Sequence, residues 1–381
     1  MKVVVIGAGI IGLLTALRLK QQGVDVTVLE KGKVAQESSW AGAGILCPIH
    51  PWLYPDSFTD LVNASLDLYP ELQTELESEI GHDIQRIKSG LLIPCFADDK
   101  VKHQEAAQVW SDKFGWDMQR LTAAQAVEKE PTLSADVEEA LLWSNVHQVR
   151  NPELLSAVLL YLYKLGVDVV EQSEVIRLIA DGQGHVCGVK AKQDKTYDAD
   201  AVLLAAGSWS ANLAEQSGFK LPVQPVKGQI VLLKTKPNTL KHIVKHDDAY
   251  FVPRKDGRIL IGATMENVGF ERSNTVEALS ELLAATQRLI PGLKDAEVEQ
   301  QWMGFRPGSP DGLPFLGEVP SKKGLWVATG HYRNGVALAP VTAKVMADWI
   351  CGVQPSLNMD AFAPDRPLHE STSVGYPKAQ S

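Results

Sequence analysis

The chain opens on an uninterrupted apolar run, Val3-Val-Val-Ile6, with none of the polar alternation of a half-exposed strand. A run of this kind, closed by glycine, predicts a strand buried on both faces. Apolar residues then recur at helical spacing over 10–22, and a second short run covers 26–29. The first thirty residues therefore read as strand, turn, helix, strand. Helical periodicity returns over 58–81, where Leu61, Leu66, Leu68, Leu72 and Leu76 form a broad apolar face. It recurs over 98–114 and over 123–130, where Pro131 stops it. Residues 85–94 read as strand, and Leu141 and Trp143 begin another extended piece. Asn151-Pro-Glu predicts a helix over 153–165, with asparagine as N-cap and proline at its first position. Strands follow at 167–170, 174–179, 186–192 and 201–205.

The middle of the chain changes character. Residues 228–234, 249–254 and 258–263 are strands joined by turns, with Lys255-Asp-Gly257 as a hairpin signal. A helix over 276–289 ends before Pro291-Gly292, and 301–308 is extended. A buried strand at 324–330 then runs through His331-Tyr-Arg-Asn-Gly335 into a helix over 339–350. Glycine-flanked strand–turn–helix units thus sit at both ends of an antiparallel middle. The expected class is α/β (α+β overall): a Rossmann-like dinucleotide-binding domain with an inserted substrate domain built on an antiparallel β-sheet. The first comprises 1–85, 141–222 and 310–365, the second 86–140 and 223–309, and 366–381 is a polar tail expected to be disordered.

Gly7, Gly9 and Gly12 have G-x-G-x-x-G spacing between the first strand and helix. In such a fingerprint the first glycine permits the turn, the second admits a pyrophosphate, and the third lets helix and strand pack closely. Ile10 and Ile11 begin the helix, whose free N–H groups favour phosphate. Glu30 falls 18 residues after Gly12, at the end of the second strand, where a carboxylate can accept from a ribose; Lys31 follows it. A signal peptide is disfavoured by the three glycines and by Arg18 and Lys20, which end the apolar stretch. The loop 37–46 is small and glycine-rich, suited either to a flat ligand or to an ordinary turn with a helix cap. The aromatic, proline-punctuated 50–57 is equally a lid or a surface loop, and Val202 to Ser210 by itself is a strand-to-helix turn.

A formal net charge of -9 without a basic run argues against nucleic acid and anionic membranes. Four scattered cysteines lack metal-ligand spacing and point to a reducing cytoplasm, and no stretch is long enough to span a bilayer.

The early glycine fingerprint with Glu30, the serine-rich glycine loop, Ala-Ala-Gly207, Tyr-Phe-Val-Pro-Arg254 and Gly-Ala-Thr-Met265 occur in the order found in flavin amine oxidases. So do Gly-Phe-Arg-Pro-Gly308, Asp-Gly-Leu-Pro314 and Gly-His-Tyr-Arg-Asn-Gly335. Over residues 1–365 the chain resembles the D-amino-acid oxidase superfamily, and within it is most similar to the glycine oxidases of the thiamine pathway. The resemblance implies non-covalent FAD in the first domain; the 309–317 segment lacks the cysteine of covalent-flavin relatives. It places Ser38, Ser39, Ala43 and Gly44 by pyrophosphate and flavin, Val175 by adenine, and Ala206 and Gly207 across the cofactor. Gly330, His331, Arg333, Asn334, Gly335 and Val336 would lie by the isoalloxazine.

The implied reaction takes hydride from an amino acid's Cα to flavin N5; water then hydrolyses the imine to an oxo acid and ammonia, and oxygen becomes hydrogen peroxide. Arg306 matches the carboxylate-binding arginine, Tyr250 the tyrosine that assists it, Arg333 a second arginine, and Met265 a position near the substrate. Asp248 stands where some relatives have histidine, and no lysine is assigned to oxygen. Glycine, sarcosine and small D-amino acids are the expected substrates, with molecular oxygen as partner; many relatives are oligomers, so a homo-oligomer stays open. The alternatives are a dehydrogenase passing electrons to a quinone or partner subunit, and a flavin-binding protein without turnover.

Overall fold

The computed structural model of the protein describes residues 1–48, 50–97 and 102–368. Lys2–Ile6 is an interior strand of a six-stranded sheet, in the order Phe315–Glu318, Leu325–Thr329, Ala201–Leu204, Lys2–Ile6, Asp25–Leu29, Asp168–Val170. All neighbours are parallel except the edge strand Phe315–Glu318. Both faces of Lys2–Ile6 are covered, which is why its sequence does not alternate: Val3 and Val5 join one apolar cluster, Val4 and Ile6 another.

Helix Ile10–Gln21 covers the first face and is itself packed against helices Ala339–Ile350 and Asn151–Lys164. Leu13, Leu14, Leu17 and Leu19 are all fully buried, so the helix is covered on every side until Arg18, Lys20 and Gln21 in its last turn. Each such side chain contributes about 1.5–3 kcal/mol of transfer free energy. The opposite face carries the meander Val175–Ala180, Val186–Ala191 and Thr196–Asp198 and the short helix Ser210–Gln216.

The second sheet has eight strands, in the order Glu297–Gly308, Gln224–Lys234, Arg258–Gly262, Ala249–Pro253, Ile243–His246, Leu91–Cys95, Glu139–Trp143, Met118–Thr122. It is antiparallel except where Ile243–His246 meets Leu91–Cys95. Alternation along Ala249–Pro253 sorts its faces: Phe251 packs under helix Val276–Leu289, whereas Tyr250 and Val252 belong to the opposite cluster. A small sheet of Ile45–Leu46, His147–Gln148 and Ile87–Lys88 bridges between the two large ones.

Several details depart from the sequence expectation. The strand expected over 85–94 is two, Ile87–Lys88 and Leu91–Cys95, separated at Gly90, whose φ is +66°. Asn151 does not cap its helix. It lies within Asn151–Lys164, and its amide donates to Ser39 O and Gly42 O at 2.7 and 3.0 Å. A tertiary demand for its amide outweighs the capping preference. Of the helix expected over 98–114, Lys102–Phe114 is present, while residues 98–101 lie outside the described residues. The segment 50–57 packs in place: Trp52 stacks on Trp143 at 6.2 Å and Tyr54 on Phe58 at 4.1 Å. No helix among the described residues is long and apolar enough to cross a membrane.

The expected tail begins at Arg366, yet this residue is anchored; residues 369–381 lie outside the described residues. Its guanidinium binds Asp311 through Nε and Nη2, both at 2.9 Å, and donates to the carbonyls of Leu313 and Pro314. The Phe315 ring centroid is 3.9 Å from it. Arg366→Ala strands the buried Asp311 carboxylate and is expected to cost about 3–5 kcal/mol. A thermal midpoint equal to that of the parent protein would show that this clamp carries no stability.

Candidate active site

A cavity of ≈ 320 Å³ runs between the two large sheets. At one end stand Ser173, Glu174 and Val175, in its middle Gly9, Ser38 and Ser39, and at the other Tyr250, Met265, Arg306 and Arg333. Gly7, Ile10, Ile11, Glu30, Lys31, Ala43, Gly44, Ala206, Gly207, His331, Gly335 and Val336 line it too. Three predicted residues, Gly12, Gly330 and Asn334, are not among its lining; they shape what surrounds it. A Cβ on Gly12 would fall 2.0 Å from Gly7 O, and one on Gly330 would fall 2.9 Å from the Phe315 ring. Asn334 Nδ2 donates to Tyr54 Oη at 3.2 Å.

The glycine turn has a steric cause. Gly7, at φ +106°, would place a Cβ 2.5 Å from Ala205 O, so the turn can pass the neighbouring strand only as glycine. The Glu30 carboxylate accepts from Ala8 N and Gly32 N, both at 2.9 Å, and is thereby held at the cavity edge. Ser39 Oγ accepts from Ile10 N at 3.0 Å, and Ser38 donates to Phe305 O, so both hydroxyls brace the turn against neighbouring elements. Lys31 Nζ lies 3.3 Å from the Trp209 ring centroid, and burial pulls its pKa down against the nearby Glu37 and Glu30.

At the other end, the antiparallel sheet presents two side chains over glycines. Tyr250 is paired in register with Gly262, where a Cβ would come 2.5 Å from the Tyr250 hydroxyl. Arg306 is paired with Val226, and Gly228 is its diagonal neighbour on the same face. A Cβ on Gly228 would meet Arg306 Nη1 at 2.3 Å. Each glycine clears the floor on which one functional side chain lies. Arg306 Nη1 also donates to Thr264 O at 3.1 Å. Burial raises the Tyr250 pKa, while the Arg306 charge opposes that shift.

Arg333 reaches the same end from the loop after Leu325–Thr329. Tyr332, at φ +49°, is held in the left-handed region, and its N–H donates to Pro307 O at 3.0 Å. Arg333 Nη1 lies 3.6 Å from Asp248 Oδ1, and its Nη2 lies 2.6 Å from Met265 Sδ. Burial opposes its charge, but Tyr332 and Asp248 more than offset this and hold its pKa above the ordinary value. His331 is buried against Thr342 Oγ1 at 3.1 Å, and burial pushes its pKa down to about 3.

Sequence reasoning missed Gly228, Gly262, Ser173, Lys245 and the structural role of Arg254. Lys245, register partner of Tyr250, is buried with its Nζ 3.2 Å from His50 Nε2, and burial lowers its pKa to about 8. Among these only the glycines had a visible signal, as breaks inside otherwise apolar strands.

The residues fit FAD. The cavity lining includes Val175, the residue expected beside adenine. Ser173 lines the same end, and its buried hydroxyl has no hydrogen-bond partner among the described residues. Gly9 could not carry a side chain freely, since its Cβ would already approach Ser39 Oγ at 3.1 Å. Among the described residues no cluster of side chains could hold a metal ion.

Gly228→Ala is expected to push the Arg306 guanidinium aside and weaken binding of a small carboxylate at least tenfold, with flavin content unchanged. Equal carboxylate affinity in a flavin titration would contradict this. His331 supplies a pH test. Its folded pKa of about 3 lies below the free value of 6.5, so between these the unfolded chain binds the extra proton and stability falls as pH falls. At pH 4 the loss is on the order of 3 kcal/mol, and His331→Gln should remove that part of the acid slope. An identical slope in thermal midpoint between pH 7 and 4 would refute the assignment.

The family model described as FAD dependent oxidoreductase matches residues 2–349. A glycine oxidase from Pseudomonas aeruginosa is 40% identical over 364 residues, covering 95% of this chain and 98% of that protein. The crystal structure of glycine oxidase from Geobacillus kaustophilus superposes with a TM-score of 0.91 at 31% identity, covering 96% of this chain and 99% of that one. The corresponding structure from Bacillus cereus gives 0.89 at 32% identity, covering 97% and 99%. With the glycine turn, Glu30 and the arginine-bearing sheet assembled around one cavity, the chain belongs to the DAO family of FAD-dependent oxidoreductases.

Proposed function

We propose that the protein catalyses oxidative deamination of glycine and other small amines, such as sarcosine and small D-amino acids, giving the oxo acid, ammonia or an amine, and hydrogen peroxide. Molecular oxygen is the proposed electron acceptor. The cytoplasm is the proposed location, which the four free cysteines support. The observation that carries the reading is Arg306, which lines the cavity beside Tyr250 and has no carboxylate partner among the described residues.

Gly7, Gly9, Glu30, Ser38 and Ser39 would hold FAD, which would supply the two-electron acceptor for a hydride leaving the substrate Cα. The chain's part is to bind and orient. Arg306 can hold a carboxylate through two parallel N–H donors, with the Tyr250 hydroxyl beside it. Fixing the carboxylate at one end limits where Cα can lie, and such positioning contributes substantially to rate. Arg333 carries Asp248 as counter-charge, whereas Arg306 has no acid beside it among the described residues and is left for the substrate. Tyr250 keeps its proton, since burial raises its pKa, and so serves as a hydrogen-bond donor. Met265 closes the pocket over Arg333 with a polarisable, apolar side chain.

The deciding assay is peroxide formation by the purified holoenzyme with glycine, sarcosine and D-alanine under air. Peroxide with these amines is the expected result. Flavin bleaching without air but no peroxide with air would instead make the protein a dehydrogenase. Arg306→Ala should lose a charge-assisted contact worth about 1.5–3 kcal/mol and raise KM roughly tenfold to a hundredfold, with FAD retained. An unchanged KM would remove Arg306 from the substrate site.

A further inference from the structure

Strand Gln224–Lys234 carries Lys227, which is only 1% exposed, and neither it nor Glu266 lines the cavity. A buried ammonium persists only where partners compensate its lost hydration. Lys227 Nζ lies 3.0 Å from Glu266 Oε2 and donates to Ser273 Oγ at 3.1 Å. The two residues also exchange both main-chain hydrogen bonds at 3.0 Å, as an isolated antiparallel bridge. Glu266 is thus fixed to the strand twice, by backbone and by charge.

Its other carboxylate oxygen accepts from Gln229 Nε2 at 2.9 Å and from the Thr264 hydroxyl at 2.5 Å. Thr264 Oγ1 in turn accepts from Gln229 N at 2.9 Å, and Gln229 Oε1 accepts from Thr275 N at 2.8 Å. What this network immobilises is the segment Thr264-Met265-Glu266. That segment faces the substrate end of the cavity at two points. Thr264 O takes the hydrogen bond from Arg306, and Met265 Sδ contacts Arg333 Nη2 and, at 3.3 Å, Tyr332 Oη. Gly228, on which Arg306 lies, stands between Lys227 and Gln229 in the same strand.

We infer that the buried Lys227–Glu266 network is a positioning device that holds Arg306 and Arg333 in the geometry for a monocarboxylate. Glu266 is the positioning residue and acts through Thr264 and Met265, while Lys227 compensates its charge. The inference rests on the proposed reading of Arg306 as the carboxylate anchor. A pair of apolar side chains could fill the same volume without desolvating two charges. Such a pair could not hold the Thr264 hydroxyl and the Gln229 amide, and that is the difference the test exploits.

The probe is acetate, titrated into the holoenzyme and read from the flavin absorbance. Lys227→Met/Glu266→Met removes the charges and the bonds together. It is expected to keep FAD, to weaken acetate at least tenfold, and to raise KM for glycine more than it lowers kcat. Lys227→Met/Glu266→Gln also removes the charges but keeps an amide oxygen for Thr264 and Gln229, and should bind acetate within threefold of the parent. Equal acetate affinity in the Met/Met variant and the parent, or equal losses in the two double variants, would overturn the inference. Should the Met/Met variant fail to hold FAD, Thr264→Val decides: weaker acetate binding with full flavin supports the device, and unchanged binding overturns it. Arg306→Ala, run alongside, separates the two levels. Weakened acetate binding there with parent-like network variants refutes the network alone, and unchanged acetate binding in Arg306→Ala refutes the anchor and the network together.

Discussion

The cavity exists because two sheets are held at a fixed separation, and a buried arginine does much of the holding. Arg254 ends the strand that carries Tyr250, and its guanidinium turns away from solvent. Nη1 donates to Gln148 Oε1 and Val149 O at 2.6 and 3.1 Å, and Nη2 donates to Ala43 O at 2.8 Å. Among the described residues no acid bonds it directly, and burial lowers its pKa to about 10, so the group remains charged at neutral pH. Three charge-assisted bonds compensate the lost hydration, and a planar fork can make all three without bending. The strand of Tyr250, the small bridging sheet and the glycine loop that lines the cavity are thereby joined at one point. A lysine, a point charge on a flexible stem, could not reproduce that geometry.

Around this joint the site is shaped as much by missing atoms as by present ones. Gly7 and Gly12 let the first strand, its turn and the following helix approach closely, and the same logic recurs at Gly228 and Gly262. In the first case the space serves a tight turn that lines the cavity; in the second it lets an arginine and a tyrosine lie flat on a sheet. Functional side chains placed on strands inherit the rigidity of the ladder, whereas Arg333 sits on a loop and needs other restraint. The left-handed Tyr332, bonded to Pro307 O, and the buried Asn334, donating to Tyr54, supply it.

The sequence made the first half of this legible. The run Val3 to Ile6, the spacing of Gly7, Gly9 and Gly12, and the place of Glu30 are local patterns whose meaning survives without tertiary information. The arginine and tyrosine were legible only through resemblance, because a single Arg306 before a proline carries no signal of what it faces. The remaining parts depend on partners distant in the chain. Asn151 looks like a helix cap until Ser39 and Gly42, more than a hundred residues away, claim its amide. Arg366 looks like the start of a polar tail until Asp311 is placed beside it. Lys227 looks like one of many solvated lysines, and only strand register brings Glu266 opposite it.

The charge pattern at the substrate end then favours one class of ligand. Arg306 and Arg333 both reach the cavity, but among the described residues only Arg333 has an acid, Asp248, at 3.6 Å. Asp248 is more than half exposed, so solvent reduces its field without removing it. Two unopposed guanidiniums would attract a dicarboxylate about as well as they would hold a monocarboxylate. With Asp248 present, a second carboxylate directed at Arg333 meets an acid already in place, and like charges a few ångströms apart repel even under partial screening. On the proposed reading of Arg306, a substrate bearing one carboxylate and one small amine would satisfy it without that conflict. The same acid that weakens the pocket's total positive charge therefore narrows its choice, which is how specificity differs from affinity.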